Sequence, residues 1–358
     1  MGSLSRLSQQ SPTPSDNYLI YAPFCACNPN VTISTFIESY NPSNNSWNRV
    51  TSIPGHGQNL VLKDFAMVSI GYHIYVIGGR LCCKFFGQNS DNIVEALIDP
   101  MVLSCVRRYN VRTGSWDLCA PMNTPRFNFA CTVADDKIYV AGGQNTLGRA
   151  TGISSTECNF YFSFFFRYKC VGVTWQDKIH VVGGFVAGGE NQGPFVMTRS
   201  TSEVYDPERD IWVLKSRMWE LDVPPNQIVT VNGRLFSSGD CLKPWKGHIE
   251  VYDEMQKLWT MVHGSHFNCA SSTSKTEEVG SNGASMRRLF LTMAPIGTQL
   301  YFLCGCKMSG KGEASRLRSE VHVFDTAANG GGWRSYEPVE EEGEKELCGH
   351  CCILKQDF

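Results

Sequence analysis

Short apolar runs broken by polar or glycine-bearing turns recur along the whole chain, and long stretches of helical period are missing. In segments such as VYDPERDIWV, apolar and polar positions alternate on both sides of a turn, which predicts an antiparallel hairpin. Three runs end an apolar strand in two glycines: HIYVIGG (Gly78, Gly79), KIYVAGG (Gly142, Gly143) and KIHVVGG (Gly183, Gly184). RLFSSGD (Gly239) and QLYFLCGC (Gly305) are weaker copies. Tyr and Trp follow seven positions apart at Tyr40/Trp47, Tyr109/Trp116, Tyr205/Trp212 and Tyr252/Trp259. A fifth pair, Phe324/Trp333, is stretched to nine by Asn329-Gly330-Gly331-Gly332. Trp212 and Trp259 are 47 residues apart, and Trp116 and Trp212 are 96 apart, or two units of 48. A unit of that length is a four-stranded meander that cannot bury both faces alone, so such units stack radially to share a core. The glycines suit close backbone approach, and the aromatic pairs supply large areas that wedge between sheets.

Composition fits an all-β chain rich in turns: 33 of 358 residues are Gly, 42% are hydrophobic and 18% are charged. The net charge is −2, from 32 basic and 34 acidic side chains, and no basic stripe stands out. A nucleic-acid or anionic-membrane partner therefore has no electrostatic motive. The N-terminus, MGSLSRLSQQSPTPSDN, has no apolar signal-peptide core, and Arg6 spoils a near-match to a myristoylation signal. The longest aromatic-apolar run, Asn159 to Phe166, is far short of the ~20 residues a membrane helix needs. The expected address is cytoplasmic or nuclear, with the 16 cysteines reduced.

Paired glycines after an apolar strand, with Tyr and Trp downstream at this period, resemble kelch repeats from about Asn17 to Lys355. The copies are similar to those of plant F-box/kelch proteins. The resemblance implies an all-β, six-bladed kelch-type β-propeller behind a disordered tail over 1–16. Blade one combines 17–50 with 347–355, so strands from both termini close the ring and remove its edges. Blade two is expected at 65–120, blade three at 126–166, blade four at 167–218, blade five at 226–263 and blade six at 287–338. Blade three is degenerate: 23 residues separate Gly143 from Arg167, against 42 between Gly184 and Gln227. Glu157 stands where Glu203 precedes VYDPERDIW, and the chain then reads CNFYFSFFFRYK, without turn residues. Either this is a truly degenerate blade that has lost a strand pair, or it is an altered splice or gene-model product. Many members of the F-box/kelch group carry an F-box ahead of the propeller and act as substrate receptors of ubiquitin ligases. Only about 17 polar residues precede the first expected strand here, so the sequence departs from that pattern.

Function then falls to the rim. The expected reading is a protein-interaction module that recruits a partner protein or peptide through its rim loops, with a link to ubiquitin-ligase substrate recognition. No enzyme, cofactor or metal is expected. Cys348-Gly-His-Cys351-Cys352 contains a C-x-x-C, but a strand points Cys348 and Cys351 to opposite faces, and a second C-x-x-C is missing. The alternative, a metal-dependent kelch-type enzyme, lacks a Glu-x-x-x-Asp-x-x-x-His run and every common catalytic motif. Arg80–Ser104, Phe185–Arg199 and Lys307–Arg318 read as long rim connections. The first carries Arg80, Lys84, Phe85 and Phe86, and the second carries Phe185 and Phe195. Arg126, Asn128, Arg167, Lys169, Asn226 and Gln227 open innermost strands, which by the resemblance face the channel mouth. Such a basic-polar ring suits an acidic or polar peptide, unless the arginines only brace neighbouring blades.

Overall fold

A computed structural model describes residues 17–26, 34–55, 60–86, 93–146, 153–157, 161–186, 201–267, 285–309, 316–327, 332–337 and 345–356. Their strands form seven antiparallel sheets, six of which follow the sequence period. The first joins Tyr18–Ala26, Thr35–Asn41 and Ser46–Ser52 to Lys345–Leu347 and Cys352–Lys355. The second orders Ala66–Ile70, His73–Ile77, Val106–Asn110 and Ser115–Cys119. The third orders Ala130–Ala134, Lys137–Ala141, Ile153–Glu157, Tyr161–Tyr168 and Phe185–Val186. The fourth holds Val171–Trp175, Lys178–Val182, Ser202–Asp206 and Ile211–Lys215. Ile228–Val231, Arg234–Ser237, Glu250–Asp253 and Leu258–Met261 make the fifth. Ser285–Ile296, Gln299–Ser309, Arg316–Asp325 and Trp333–Tyr336 make the sixth. A small seventh sheet pairs Leu60–Lys63, Arg80–Phe86 and Ile93–Val102.

The aromatic pairs meet in the outer hairpins with their rings tilted 36–52° to each other. Tyr40, Tyr109, Tyr205, Tyr252 and Phe324 lie directly opposite Trp47, Trp116, Trp212, Trp259 and Trp333, with ring centroids 5.1–5.4 Å apart. The turn between them explains the spacing of seven. The residue after the Tyr accepts backbone N–H bonds through its side-chain oxygen: Asn110 from Arg112, Asp206 from Glu208 and Arg209, Asp253 from Met255 and Gln256. This is an Asx-turn. Five positions past the Tyr, the chain enters the left-handed region at Asn45, Gly114, Asp210 and Lys257. In two copies the Tyr hydroxyl donates to that same residue, to Asn45 at 3.0 Å and to Asp210 at 2.7 Å.

Neighbouring sheets are sewn together near their first strands. Asn128 N–H donates to the Asp64 carbonyl (3.2 Å), Thr132 and Thr174 hydroxyls meet at 2.9 Å, and Thr230 donates to the Thr174 carbonyl (3.0 Å). The Gln227 amide both donates to and accepts from the backbone of Met293 (3.1 and 2.7 Å). Cys351 N–H donates to the Thr292 hydroxyl (3.0 Å), and the Ser69 hydroxyl donates to the Ile353 carbonyl (2.7 Å). The glycine pairs belong to this stitching. Gly79 and Gly143 N–H groups donate to the Arg126 and Arg167 carbonyls at 2.9 and 2.7 Å. A Cβ on Gly78 or Gly142 would come within 2.7 or 2.6 Å of those same carbonyls, and φ is positive at both. Only glycine meets both demands.

The chain differs from the sequence expectation in four places. The closing strand expected over Leu347–Leu354 is two strands, because Cys348–Cys351 step out of the ladder. Arg80–Ser104 is no open loop: most of it is a β-ribbon, Phe86 pairing with Ile93. Lys307–Arg318 is likewise a lengthened hairpin, its ladder running out to Met308 opposite Arg316. The third sheet has not lost its outer strand pair outright. Ile153–Glu157 and Tyr161–Tyr168 pair with each other, but only Val140 and Ala141 of the second strand pair with them, and the ladder slips between Ile153 and Ser155. The Tyr-Asx…Trp pattern of the other hairpins is missing from this segment, so nothing fixes the ordinary register.

Candidate functional site: the channel and its mouth

The first strands of the second to sixth sheets, with Cys348–Ile353 of the first sheet, line a cavity of about 610 Å³. Its wall includes Val68, Val171, Val229, Met293 and six thiols, from Cys131, Cys170, Cys241, Cys348, Cys351 and Cys352. Burial pushes the Cys131 and Cys351 thiols up to about 12 and Cys170 up to about 11. It also raises Cys352 and Cys348, the latter further through neighbouring Cys25. Burial disfavours the thiolate in each, so the protonated groups form a small apolar wall. His350 also lines the cavity and stacks on Phe290 at 5.5 Å. Burial lowers its imidazole to about 4, which keeps it uncharged. Among the described residues, no three His, Cys, Asp or Glu side chains are placed to hold one metal ion.

Polar groups collect where the chain enters the first strands. Asp64, Asn128 and Lys169 each sit two residues ahead of a first strand, each with φ of 53–54°. Their backbones are bonded in series: Asn128 N–H to the Asp64 carbonyl, then Lys169 N–H to the Asn128 carbonyl at 2.7 Å. All three line the cavity, with Asn226 and Gln227. Asp64 is held by Arg80 Nε at 2.5 Å, and Arg80 also lies 5.3 Å from the centre of the Phe127 ring. Lys169 is exposed, and among the described residues its ammonium has no ion pair.

The expected site residues thus separate into groups. Asn128, Lys169, Asn226 and Gln227 come together at the cavity, with the two amides of Asn226 and Gln227 also bracing the sixth sheet at Leu291 and Met293. Arg80 reaches the same place through Asp64. Phe185 stacks on Tyr168 at 5.4 Å, opposite it in the third sheet. Lys84, Phe85 and Phe86 lie on the ribbon, their side chains outside the described residues, and Phe195 is wholly outside them. Arg126 and Arg167 are fully buried. Each takes a glycine N–H of the preceding glycine pair on its carbonyl and reaches the next pair with its guanidinium: Arg126 links Gly79 to the Gly142 carbonyl (2.8 Å), and Arg167, in the last long strand of the third sheet, links Gly143 to the Gly183 carbonyl beyond the fourth sheet's second strand (2.9 Å). Arg167 also donates to Thr201 Oγ1 (2.5 Å) and to Glu203 Oε1 (3.3 Å), a pair with no solvent exposure on either side. The bracing role weighed for these arginines is the one their contacts describe. Its sequence signal is the spacing of sixteen from Arg to glycine in both copies. Sequence reasoning passed over Asp64 and His350, although the order polar, aromatic or Cys, strand is common to Asp64-Phe65, Asn128-Phe129 and Lys169-Cys170.

Residues 125–158, which span the second glycine pair and the first strands of the third sheet, match the family described as Kelch motif. Among curated proteins the chain is similar to an F-box/kelch-repeat protein of Arabidopsis thaliana, 27% identical over 192 residues (51% of this chain, 45% of the relative). It is similar to the Kelch repeat and BTB domain-containing protein 12 of Danio rerio, 24% identical over 222 residues (55% and 34%). Another F-box/kelch-repeat protein of Arabidopsis thaliana is 31% identical over 134 residues (35% and 31%). The chain spans 31–45% of the length of these relatives.

Proposed function

We propose that the six sheets are the blades of one closed propeller, its ring completed by the C-terminal strands in blade one, and that it recruits a protein partner at the channel mouth. The observation that carries the recruiting role is the mouth itself. Asn128 presents an amide and Lys169 a cation without an ion pair among the described residues, beside a cavity of about 610 Å³ that the braced amides of Asn226 and Gln227 also line. An unpaired cation beside amides, over an apolar shaft, suits an acidic or polar segment of a partner. Arg80, with Lys84, Phe85 and Phe86 on the ribbon, and Phe185 and Phe195 beyond the third glycine pair, extend the contact surface. Arg126 and Arg167 hold the blades in place beneath it. Similarity to F-box/kelch-repeat proteins supports a role in recognising substrates of a ubiquitin ligase. Quantitative affinity capture with the unaltered chain and with Lys169→Glu tests the reading. Loss of the partners captured by the unaltered chain, at unchanged Tm, is the expected result. An identical set of captured proteins from both forms overturns it.

A further inference from the structure

The third sheet stops short on its outer side. In the fourth sheet the second strand is paired from Val182 down to Ile179, which faces Tyr205, and Lys178 Nζ binds the next residue, Asp206, at 3.0 Å. That contact holds the Asp206 carboxyl below its ordinary range. The third sheet begins in the same register, Val140 opposite Glu157 as Val181 is opposite Glu203. There the chain turns back, Tyr161 pairing with Thr156. Among the described residues, no strand pairs with the outer side of Lys137 or Ile138, and exposed Lys137 has no ion pair.

A second observation lies on the facing sheet. Three repeat tryptophans donate their indole N–H to the preceding sheet: Trp116 to Thr51 Oγ1 (2.9 Å), Trp259 to the Met218 carbonyl (2.9 Å) and Trp333 to the Ser265 carbonyl (3.1 Å). Each acceptor lies in or just past the outer strand of that sheet. Trp212 should donate to the same place on the third sheet, and its buried Nε1 has no partner among the described residues. A small cavity of about 10 Å³ opens beside it, walled by Cys131, Tyr139, Gly172 and Ile179.

We infer that this edge is a docking groove for a β-hairpin of another polypeptide. The incoming strand adds antiparallel beside Lys137 and Ile138, with an aromatic residue opposite Ile138 and an acidic one opposite Lys137. The hairpin's far end supplies a carbonyl to Trp212 Nε1. Lys137 sets the charge of the occupant, as Lys178 does within the fourth sheet, and the groove continues the interface between the third and fourth sheets. Main-chain pairing supplies affinity, and the aromatic and acidic positions supply selectivity. This surface is separate from the channel mouth and does not rest on the function proposed there.

The probe is a synthetic peptide of the chain's own filled copy, Ser202–Trp219, titrated into the full chain by calorimetry, with the Trp212 indole proton followed by NMR. Saturable one-to-one binding that shifts that proton is expected. Lys137→Glu weakens it about tenfold or more, and a peptide carrying Asp206→Lys regains binding to that variant. A chain with the hairpin YDPERDIW inserted after Glu157 fills its own groove and no longer binds, whereas Lys169→Glu binds as before. Absence of binding, binding indifferent to Lys137→Glu or to the insertion, or loss of binding with Lys169→Glu each overturns the inference. Self-association of the full chain that the insertion abolishes makes a second copy the occupant, and overturns the assignment to a different polypeptide.

Discussion

The third and fourth sheets share their inner half. Lys137–Ala141 and Lys178–Val182 both lie between a first strand and a glycine pair, and both receive a glutamate, Glu157 or Glu203, opposite the same valine position. Beyond that glutamate they diverge. The fourth continues into Val204, Tyr205 and Asp206, an Asx-turn and Trp212, which covers Ala134, Tyr139 and Ile179. The third turns back at once into Tyr161–Tyr168. The comparison teaches that the inner half of a blade is held by neighbours, through glycine N–H groups and buried arginines, while the outer half depends on its own turn. A damaged outer half therefore leaves the inner half standing and moves the loss to the next sheet's tryptophan.

The largest expected effect is on the buried ion pair. Arg167→Ala strands Glu203 without its guanidinium and should cost about 3–5 kcal/mol, whereas exchanging both partners for apolar residues of similar volume should cost far less. Denaturant unfolding of the single and double variants checks this, and equal losses would show that the charge is not what holds the fourth sheet. Next come the tryptophans. Trp259→Phe strands the Met218 carbonyl, while Trp212→Phe removes an indole N–H that bonds to nothing described. The first should lose about 1–1.5 kcal/mol more stability than the second. Equal melting shifts would mean that Trp212 has an acceptor after all.

The smallest effect concerns pH. His180 stands where the third sheet has Tyr139, and burial, with Lys215 nearby, lowers its imidazole from 6.5 to about 4. The folded state therefore binds the proton less readily than the unfolded chain, and stability falls as pH drops from 6.5 towards 4. At pH 6 that loss amounts to just under about 1 kcal/mol for this one group. His180→Tyr should flatten the profile over that window, leaving the share of His350. A His180→Tyr variant with an unchanged slope would assign the pH dependence elsewhere.

Much of this difference was legible in the residues. Tyr205 and Trp212 sit seven apart because an Asx-turn with one left-handed position takes that length, and CNFYFSFFFRYK has neither a Tyr followed directly by Asn or Asp nor a Trp. Arg126 and Arg167 were harder. An arginine at the start of an inner strand reads alike whether its guanidinium reaches outward to a partner or inward to a carbonyl. The choice depends on the glycine sixteen residues on, whose carbonyl accepts the guanidinium N–H. The ribbon Arg80–Phe86 was also opaque, since its strand partner Leu60–Lys63 lies before the glycines and outside the repeat.

The two ends of the chain carry one more consequence. Tyr18–Ala26 takes Thr35–Asn41 on one side and, on the other, Lys345–Leu347 and Cys352–Lys355, with Gln356 N–H reaching the Asn17 carbonyl at 2.6 Å. During synthesis Tyr18–Ala26 must wait for Lys345–Leu347 and Cys352–Lys355, which follow some 320 residues later. Until then its inner edge is open, and Phe24 and Ile20 lack part of the cover they have in the finished molecule. Closing a loop that spans nearly the whole chain is slow, so the nascent protein passes through a stage when chaperones or degradation can claim it. A ribosome stalled just short of residue 345 should hold a chain that proteases cut near its N-terminus, and release of the final residues should end that sensitivity.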